Sequence, residues 1–380
     1  MAETPCTLIA AADIDEAFRS STIDLSSSRL LGKVIGQSDE WFAEASNLIN
    51  PKPPISGNGK VVFTGGWYDG WETRRHNKQE FDYAIIKLGP EMIRSGGGFI
   101  WGVEVDTAFF NGNEAPAISV EGFAPATAMT SETEQQALDD KVLEWGHGKG
   151  EWRMILSKQP CGPSRRQAWK LQTPTERPYT HFRLNMYPDG GIARLRLYGR
   201  PASPTPSNVT GTGGGPDPLR GLDLAAATNA GRCIACSNEH YSSPNNLLLP
   251  GRGVDMSDGW ETRRSREPGH TDWAIVRLGA AGLVKSVVVD TAHFRGNFPD
   301  KCQVWGIDWT GKEGEPLGQT DEEGWMDLTG GLQDCRAHEE HIFDCENKVK
   351  GAALSHVKLV IVPDGGVKRL RVYGVPVVAR

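Results

Sequence analysis

The sequence predicts an all-β protein built as two copies of one antiparallel sandwich, and three observations carry that reading. The chain of 380 residues holds 45 Gly and 24 Pro, which cut it into short segments between turns. Those segments alternate apolar and polar residues with the period of a strand. The chain also repeats itself at long range, and such repeats decide domain organisation before anything else. With 38% hydrophobic and 23% charged residues, there is enough apolar material for a real core.

Four blocks make up the repeat. Asp69-Gly70-Trp71-Glu72-Thr73-Arg74-Arg75 recurs unchanged as Asp258-Gly259-Trp260-Glu261-Thr262-Arg263-Arg264. Asp82-Tyr83-Ala84-Ile85-Ile86-Lys87-Leu88-Gly89 returns as Asp272-Trp273-Ala274-Ile275-Val276-Arg277-Leu278-Gly279. Val105-Asp106-Thr107-Ala108 with Gly112-Asn113 returns as Val289-Asp290-Thr291-Ala292 with Gly296-Asn297. Pro188-Asp189-Gly190-Gly191 and Arg194-Leu195-Arg196 return as Pro363-Asp364-Gly365-Gly366 and Arg369-Leu370-Arg371. The offsets are 189, 190, 184 and 175 residues, shrinking because the first copy carries insertions, chiefly between Asp106 and Pro188. A Pro-, Gly- and Ser-rich stretch between the copies reads as an exposed linker. The expected division is an N-terminal extension over 1–28, a first copy over 29–200, a linker over 201–219 and a second copy over 220–380.

Each element follows from local pattern. Ala84, Ile86 and Leu88 share one face of a strand, as Ala274, Val276 and Leu278 do in the second copy. Val287-Val288-Val289 is a β-branched run leading into Asp290, and Val103-Glu104-Val105 is its more amphipathic counterpart. Pro-Asp-Gly-Gly is a turn signal, with glycines available for positive φ. After it, the alternation of Arg194–Tyr198 and Arg369–Tyr373 puts Leu195, Leu197, Leu370 and Val372 on one face. Only two stretches look helical, near Ser131–Val142 and Gln333–Asp344. Short strands bounded by turns at this spacing indicate an antiparallel β-sandwich in each copy.

Composition narrows the function. Lys and Arg total 41 against 48 Asp and Glu, a formal charge of −7, which argues against a nucleic-acid partner. Seven scattered cysteines, an odd number in a long chain, suit a reducing compartment rather than a disulfide framework. No signal peptide and no membrane span of roughly 20 apolar residues is expected, so the expected location is the cytoplasm. Cys233-Ile234-Ala235-Cys236 lacks the second pair that a structural zinc site needs. There is no His-Glu-x-x-His, no Gly-x-Ser-x-Gly and no phosphate-cradling Gly-rich loop.

The candidate chemistry lies in the repeated polar block. Five of the seven residues in Asp-Gly-Trp-Glu-Thr-Arg-Arg are polar, so it is expected as a loop at one end of the sandwich. There it would present carboxylates, an aromatic face and two guanidiniums, and guanidinium is suited to a bidentate grip on a carboxylate. The same residues could instead be an Arg–Glu network that only holds the loop. Asp82, Asp272, Asp106 and Asp290 sit at strand ends, where a turn-forming role is the plain alternative. The copies differ in histidine: His293 aligns with Phe109, and His270 with Glu80. His181 and His356 align with each other on a predicted strand and read as structural.

Taken together, these blocks closely resemble the allantoicase family. Gly-Trp-Glu-Thr-Arg-Arg, an Asp-aromatic-Ala-Ile strand and Val-Asp-Thr-Ala-His-Phe-Arg-Gly-Asn-Phe-Pro carry the resemblance, over about Arg29 to Pro376. Ser38, Trp41-Phe42 and Asn47-Leu48 match Ser237, His240-Tyr241 and Asn246-Leu247 ahead of the two blocks. The resemblance implies two tandem jelly rolls of the galactose-binding or discoidin type. It also implies a hydrolase that converts allantoate to ureidoglycolate and urea in purine breakdown.

On that basis the expected substrate contacts are Arg263, Arg264, Trp260, Asp258 and Asn297, with Arg74, Arg75, Glu72 and Asp106 in the first copy. His293 is expected as the acid that protonates the departing urea, and Asp290 or Glu261 as the base. A loosely held divalent metal stays open as an alternative activator, although no motif calls for one. Allantoate is the expected partner, with no nucleic acid and no membrane, and a homo-oligomer is compatible with the sequence. The rival reading is a non-enzymatic tandem jelly roll that binds a sugar, stacked on Trp71 or Trp260, or another small anion. Whether one copy works or both do is left undecided.

Overall fold

The structure, a computed structural model, describes residues 5–19, 21–126, 131–148, 150–204, 221–309, 324–349 and 351–377. The chain divides into two compact units, Met1–Ala202 and Ser203–Arg380. Of the expected linker, residues 205–220 lie outside the described part. Each unit is a sandwich of antiparallel strands, as the alternation and duplication predicted, in the jelly-roll form that the resemblance implied.

In the first unit, one sheet runs in the order Cys6–Ile9, Arg166–Leu171, Gly98–Asp106, Arg194–Pro201, Ile23–Asp24. The other runs Arg153–Pro160, Ala117–Phe123, His181–Tyr187, Asp82–Lys87, Lys33–Gln37. Register aligns Ile86 with Phe182 and Ala84 with Leu184, and aligns Val105 with Leu195 and Val103 with Leu197. All eight of these side chains are buried and form the core between the sheets. The N-terminal segment is woven into this unit: Cys6–Ile9 pairs with Arg166–Leu171, and Phe18 stacks on Tyr198 at 4.3 Å.

The second unit keeps the plan with one change. Asp272–Asp290 is a single strand that serves both layers. Its first part pairs with Arg232–Cys236 and Ala353–Val362, its last part with Glu340–Asp344 and Arg369–Pro376. In the first unit the same stretch is split into Asp82–Lys87 and Gly98–Asp106 by the short helix Pro90–Arg94. That helix and Ile14–Arg19 are two elements the period analysis did not anticipate.

Of the two expected helices, one forms. Glu132–Glu144 is an α-helix opened by a capping box, in which Ser131 accepts from the Glu134 N–H and Glu134 accepts from the Ser131 N–H. The other expectation is corrected: Gln333–Asp334 and Glu340–Asp344 are strands. The reason is a two-residue period, since His341 and Phe343 turn inward opposite Val289 and Val287 while their neighbours are exposed. The alternating strands also bury charge: Arg194 and Arg369 are only 2% and 1% exposed.

The helix Glu132–Glu144 covers the outer face of the second sheet, where Leu138 and Val142 pack on Ile85 and Phe123. It is also latched by charge: Asp139 accepts from Lys87 Nζ at 2.5 Å and contacts His181 Nε2 at 3.0 Å. Burial pushes the His181 imidazole below its ordinary range, only partly opposed by Asp139. Burial alone would push Asp139 up, but its hydrogen bonds from His181 and Lys87 outweigh that and hold it low. Both groups thus titrate lower folded than unfolded, so their stabilisation is present above the unfolded values of about 6.5 and 3.9 and is lost as pH falls. The first unit is expected to lose thermal stability on acidification below about pH 6.5. Asp139→Asn, which strands the Lys87 ammonium, is expected to cost on the order of 3 kcal/mol at neutral pH. Thermal unfolding of wild type and variant at several pH values checks both, and coincident melting curves would refute the latch.

Candidate active site at one end of each sandwich

Antiparallel pairing brings the four repeated blocks to one end of each unit. Asp82 begins a strand whose partner ends at Tyr187, just before the Pro188 turn, while Asp106 ends a strand whose partner begins at Arg194. The Trp-Glu dipeptide of the polar block is itself a short strand, pairing with Gly191–Ile192 in the first unit and Gly366–Val367 in the second. Gly190 and Gly365 turn the chain with φ of 148° and 134°. A Cβ on either would lie within 3 Å of the neighbouring Gly-Asn loop backbone, so glycine is required twice over.

One expectation fails at once. Trp71 and Trp260 are fully buried, each with its indole N–H donated to a backbone carbonyl, Asp39 at 2.7 Å and Asn238 at 2.9 Å. Trp260 is therefore core rather than a stacking surface for substrate or sugar. Asp258 is likewise committed, facing Lys368 Nζ and bound to Arg369 Nη2 at 2.9 Å. Its first-unit counterpart Asp69 accepts from Arg194 Nη2 at 2.7 Å.

In the first unit the site is a closed ion-pair network. Arg74 is bound by Asp39, through Nε and Nη2 both at 2.9 Å. Arg75 reaches Glu72 at 3.3 Å, Asp189 at 3.4 Å and the Asn113 carbonyl at 3.0 Å. The Asn113 amide donates to Glu72 at 2.9 Å. Asp82 accepts from Ser38 Oγ at 2.7 Å and from Thr73. Burial holds Glu72, Asp82 and Asp106 above the usual carboxylate range. Both guanidiniums expected to meet a ligand are already neutralised by protein carboxylates.

The second unit has the same framework with the arginines released. Asn238 stands where the first unit has Asp39, and its side-chain oxygen accepts the backbone N–H groups of His240 at 2.9 Å and Arg263 at 3.2 Å, leaving nothing anionic for the Arg263 guanidinium. Asp364 is taken by the Ser265 N–H at 2.7 Å, and Glu261 by the Asn297 amide at 2.6 Å. Among the described residues, the Arg263 and Arg264 guanidiniums are exposed and have no hydrogen bond or ion pair. Two further groups, singled out in the sequence but not expected in the site, meet beside it. Asp272 accepts from Ser237 Oγ at 2.6 Å and faces His270 Nε2 at 3.3 Å. The signal was available in the aligned pairs Asp39/Asn238 and Glu80/His270.

The trio expected to do the chemistry is not assembled. Asp290 is clamped by Arg252 through two contacts of 2.8 Å and accepts the Ala292 N–H, so its oxygens are occupied. His293 contacts the Gly253 carbonyl through Nε2 at 3.3 Å, and its backbone N–H donates to His338 Nδ1. It bonds to neither Asp290 nor Glu261. His293 and Phe109 share a left-handed backbone, with φ of 68° and 69°, so the position is a turn in both units. His181 and His356 are buried, and burial lowers the His356 imidazole to about 4. Among the described residues, no three His, Cys, Asp or Glu side chains gather as a metal-holding group. Cys233 donates to a backbone carbonyl, and burial pushes its thiol up to about 12.

Fold and site together define a tandem jelly-roll protein with paired polar sites, the second bearing uncommitted guanidiniums. The allantoicase repeat model of the allantoicase family matches residues 23–202 and 222–377. Allantoicase from Neurospora crassa is 53% identical over 97% of this chain and 96% of its own. Allantoicase from Saccharomyces cerevisiae is 44% identical over 94% of each. A crystal structure of the latter superposes with a TM-score of 0.72, covering 97% of this chain and 99% of that one. The chain belongs to the allantoicase family.

Burial of Trp260 makes a sharp test of its role. Trp260→Phe is expected to cost roughly 1–2 kcal/mol through the lost indole hydrogen bond and imperfect filling. Substrate KM should stay within about twofold, because no ligand rests on the ring. A KM rise without loss of stability would restore the stacking role.

Proposed function

We infer that the chain is an allantoate amidinohydrolase, hydrolysing a linear C–N bond of allantoate to release ureidoglycolate and urea, and that the second unit does the work. Membership of the allantoicase family over both repeats supports the reaction. The observation that carries the choice of unit is the pair of uncommitted guanidiniums, Arg263 and Arg264, against two neutralised ones in the first unit.

Allantoate carries a carboxylate on a carbon that also bears two ureido groups. Arg264, next to Arg263, is the natural grip for the carboxylate, since a planar guanidinium meets it with two parallel N–H donors. Glu261, oriented by Asn297, accepts N–H groups from a ureido arm. Asp290 and Arg252 then hold the loop around Gly253, with His293 bracing the same carbonyl, and they serve the geometry rather than the proton transfers. In the first unit, Glu72, Arg74 and Arg75 keep the framework closed, while Asp106 accepts the Ala108 N–H. The reading is of a cytoplasmic enzyme with a small-molecule substrate and no nucleic-acid partner. The seven free cysteines support the location. No helix among the described residues is long and apolar enough to cross a membrane.

Urea release from allantoate tests the reaction directly. Arg264→Ala is expected to raise KM for allantoate about tenfold or more, the worth of a charge-assisted contact. Arg75→Ala in the first unit should leave KM within about twofold, by the same account of which guanidinium meets the substrate. The opposite ranking would move the site to the first unit.

A further inference from the structure

We propose that His270, held by Asp272, is the catalytic residue that carries protons during release of urea, an assignment that rests on the allantoate reading above. Asp272 opens the long strand of the second unit, with only 2% of its side chain exposed. Its Oδ1 takes the Ser237 hydroxyl, and that same hydroxyl oxygen accepts the Trp273 N–H at 2.8 Å, so the carboxylate cannot swing. Its Oδ2 is buried without a hydrogen bond and faces His270 Nε2 at 3.3 Å. A buried carboxylate oxygen left this way is costly unless a cationic or N–H group answers it, and His270 is the one placed to do so.

The imidazole itself is 27% exposed, so one edge lies against the carboxylate and the other reaches solvent. Among the described residues Nδ1 has no partner, and the His270 backbone is set by a turn to Glu267. His270 lies on the loop that leaves Glu261, carries Arg263 and Arg264, and returns to Asp272. That loop is pinned along its length by Thr262 on Gly365 and by Ser265 on Asp364. An imidazole with one nitrogen on a fixed carboxylate and the other turned outward can take and give a proton without moving. The first unit lacks the device. Glu80 occupies the place of His270 and is exposed, and Asp82 is answered by the Ser38 and Thr73 hydroxyls.

The proton accounting closes on one imidazole. The imidazolium gives its proton to the ureido nitrogen bound to the central carbon, and that C–N bond breaks to release neutral urea. The lone pair on the remaining ureido nitrogen supports the electron-poor carbon left behind. Water forms the new C–O bond, and its surplus proton returns to the imidazole. Asp272 stays ionised throughout and steadies the imidazolium.

The test compares urea release from allantoate by wild type, His270→Ala, His270→Gln and, as a control outside the proton path, His293→Ala. Glutamine keeps an N–H for Asp272 but cannot carry a proton. Both His270 variants are expected to lose about a hundredfold or more in kcat, with KM within about threefold, and the glutamine variant, which still answers Asp272, is expected to keep the wild-type melting temperature. Added imidazole should restore part of the lost rate to His270→Ala. His293→Ala should retain kcat within about fivefold. The proposal is overturned if the glutamine variant keeps kcat within about tenfold, since a positioning role would survive that change. It is also overturned if His293→Ala shows the larger loss. Wild type releasing no urea would sink the allantoate reading itself, an outcome read independently of any variant.

Discussion

A buried arginine organises each sandwich end. Arg369 donates from Nε to the Gly251 carbonyl, from Nη1 to the carbonyls of Asn246, Asp258 and Lys368, and from Nη2 to the Asp258 carboxylate. Arg194 does the same work in the first unit, on Lys52, Asp69 and Ala193. A guanidinium this deeply buried is tolerable only when its donors are answered, and here the answering groups are the loop that precedes the polar block. The arginine thus ties that loop to the strand after the Pro-Asp-Gly-Gly turn. Everything the site needs hangs from this tie: the buried tryptophan, the glutamate beside it and the arginines that follow.

From that shared frame the two units diverge in charge. Asn238 in place of Asp39 removes the acid that holds Arg74, and the Arg263 guanidinium is left without an ion pair as a result. The loop between Asn246 and Asp258 is shorter than its counterpart between Asn47 and Asp69, and it carries Arg252 onto Asp290. In the first unit, Asp106 has no such clamp, and burial pushes its carboxyl up. Lys368, fully buried, stands where the first unit has Ala193 and faces Asp258 and the Asp255 carbonyl. The second unit therefore spends its added cations on holding one loop, and leaves two others free at the surface.

The fold was legible where period and repetition spoke. Leu195, Leu197, Leu370 and Val372 are buried on one face as the alternation required. The capped helix over Glu132–Glu144 was legible from composition and its Ser-x-x-Glu start. What composition hides is which polar residues are buried. Arg194, Arg369, Lys368 and Asp272 look like surface charges in the sequence, because their partners lie far away along the chain or on backbone carbonyls. The same blindness put Trp260 on the surface, since five polar neighbours suggested a loop. It also favoured His293 over His270. His293 sits in the more eye-catching block, whereas the Asp272 contact that singles out His270 depends on the turn made between Glu267 and His270.

These outcomes change what repetition means. The Asp-Gly-Trp-Glu-Thr-Arg-Arg block is identical in both copies, and identity invites a functional reading. Yet its aspartate neutralises the buried arginine, its tryptophan is core, and its threonine closes the Pro-Asp-Gly-Gly turn in both units. Those are demands of folding, and a duplicated domain keeps them whether or not it works. The residues that separate an open site from a closed one are the ones that differ: Asn238 against Asp39 and His270 against Glu80. Neither belongs to the block; each acts from beside it. In a duplicated fold the shared residues therefore describe the scaffold and the contacts it can offer, and what opens one copy to chemistry is to be sought where the copies disagree around it.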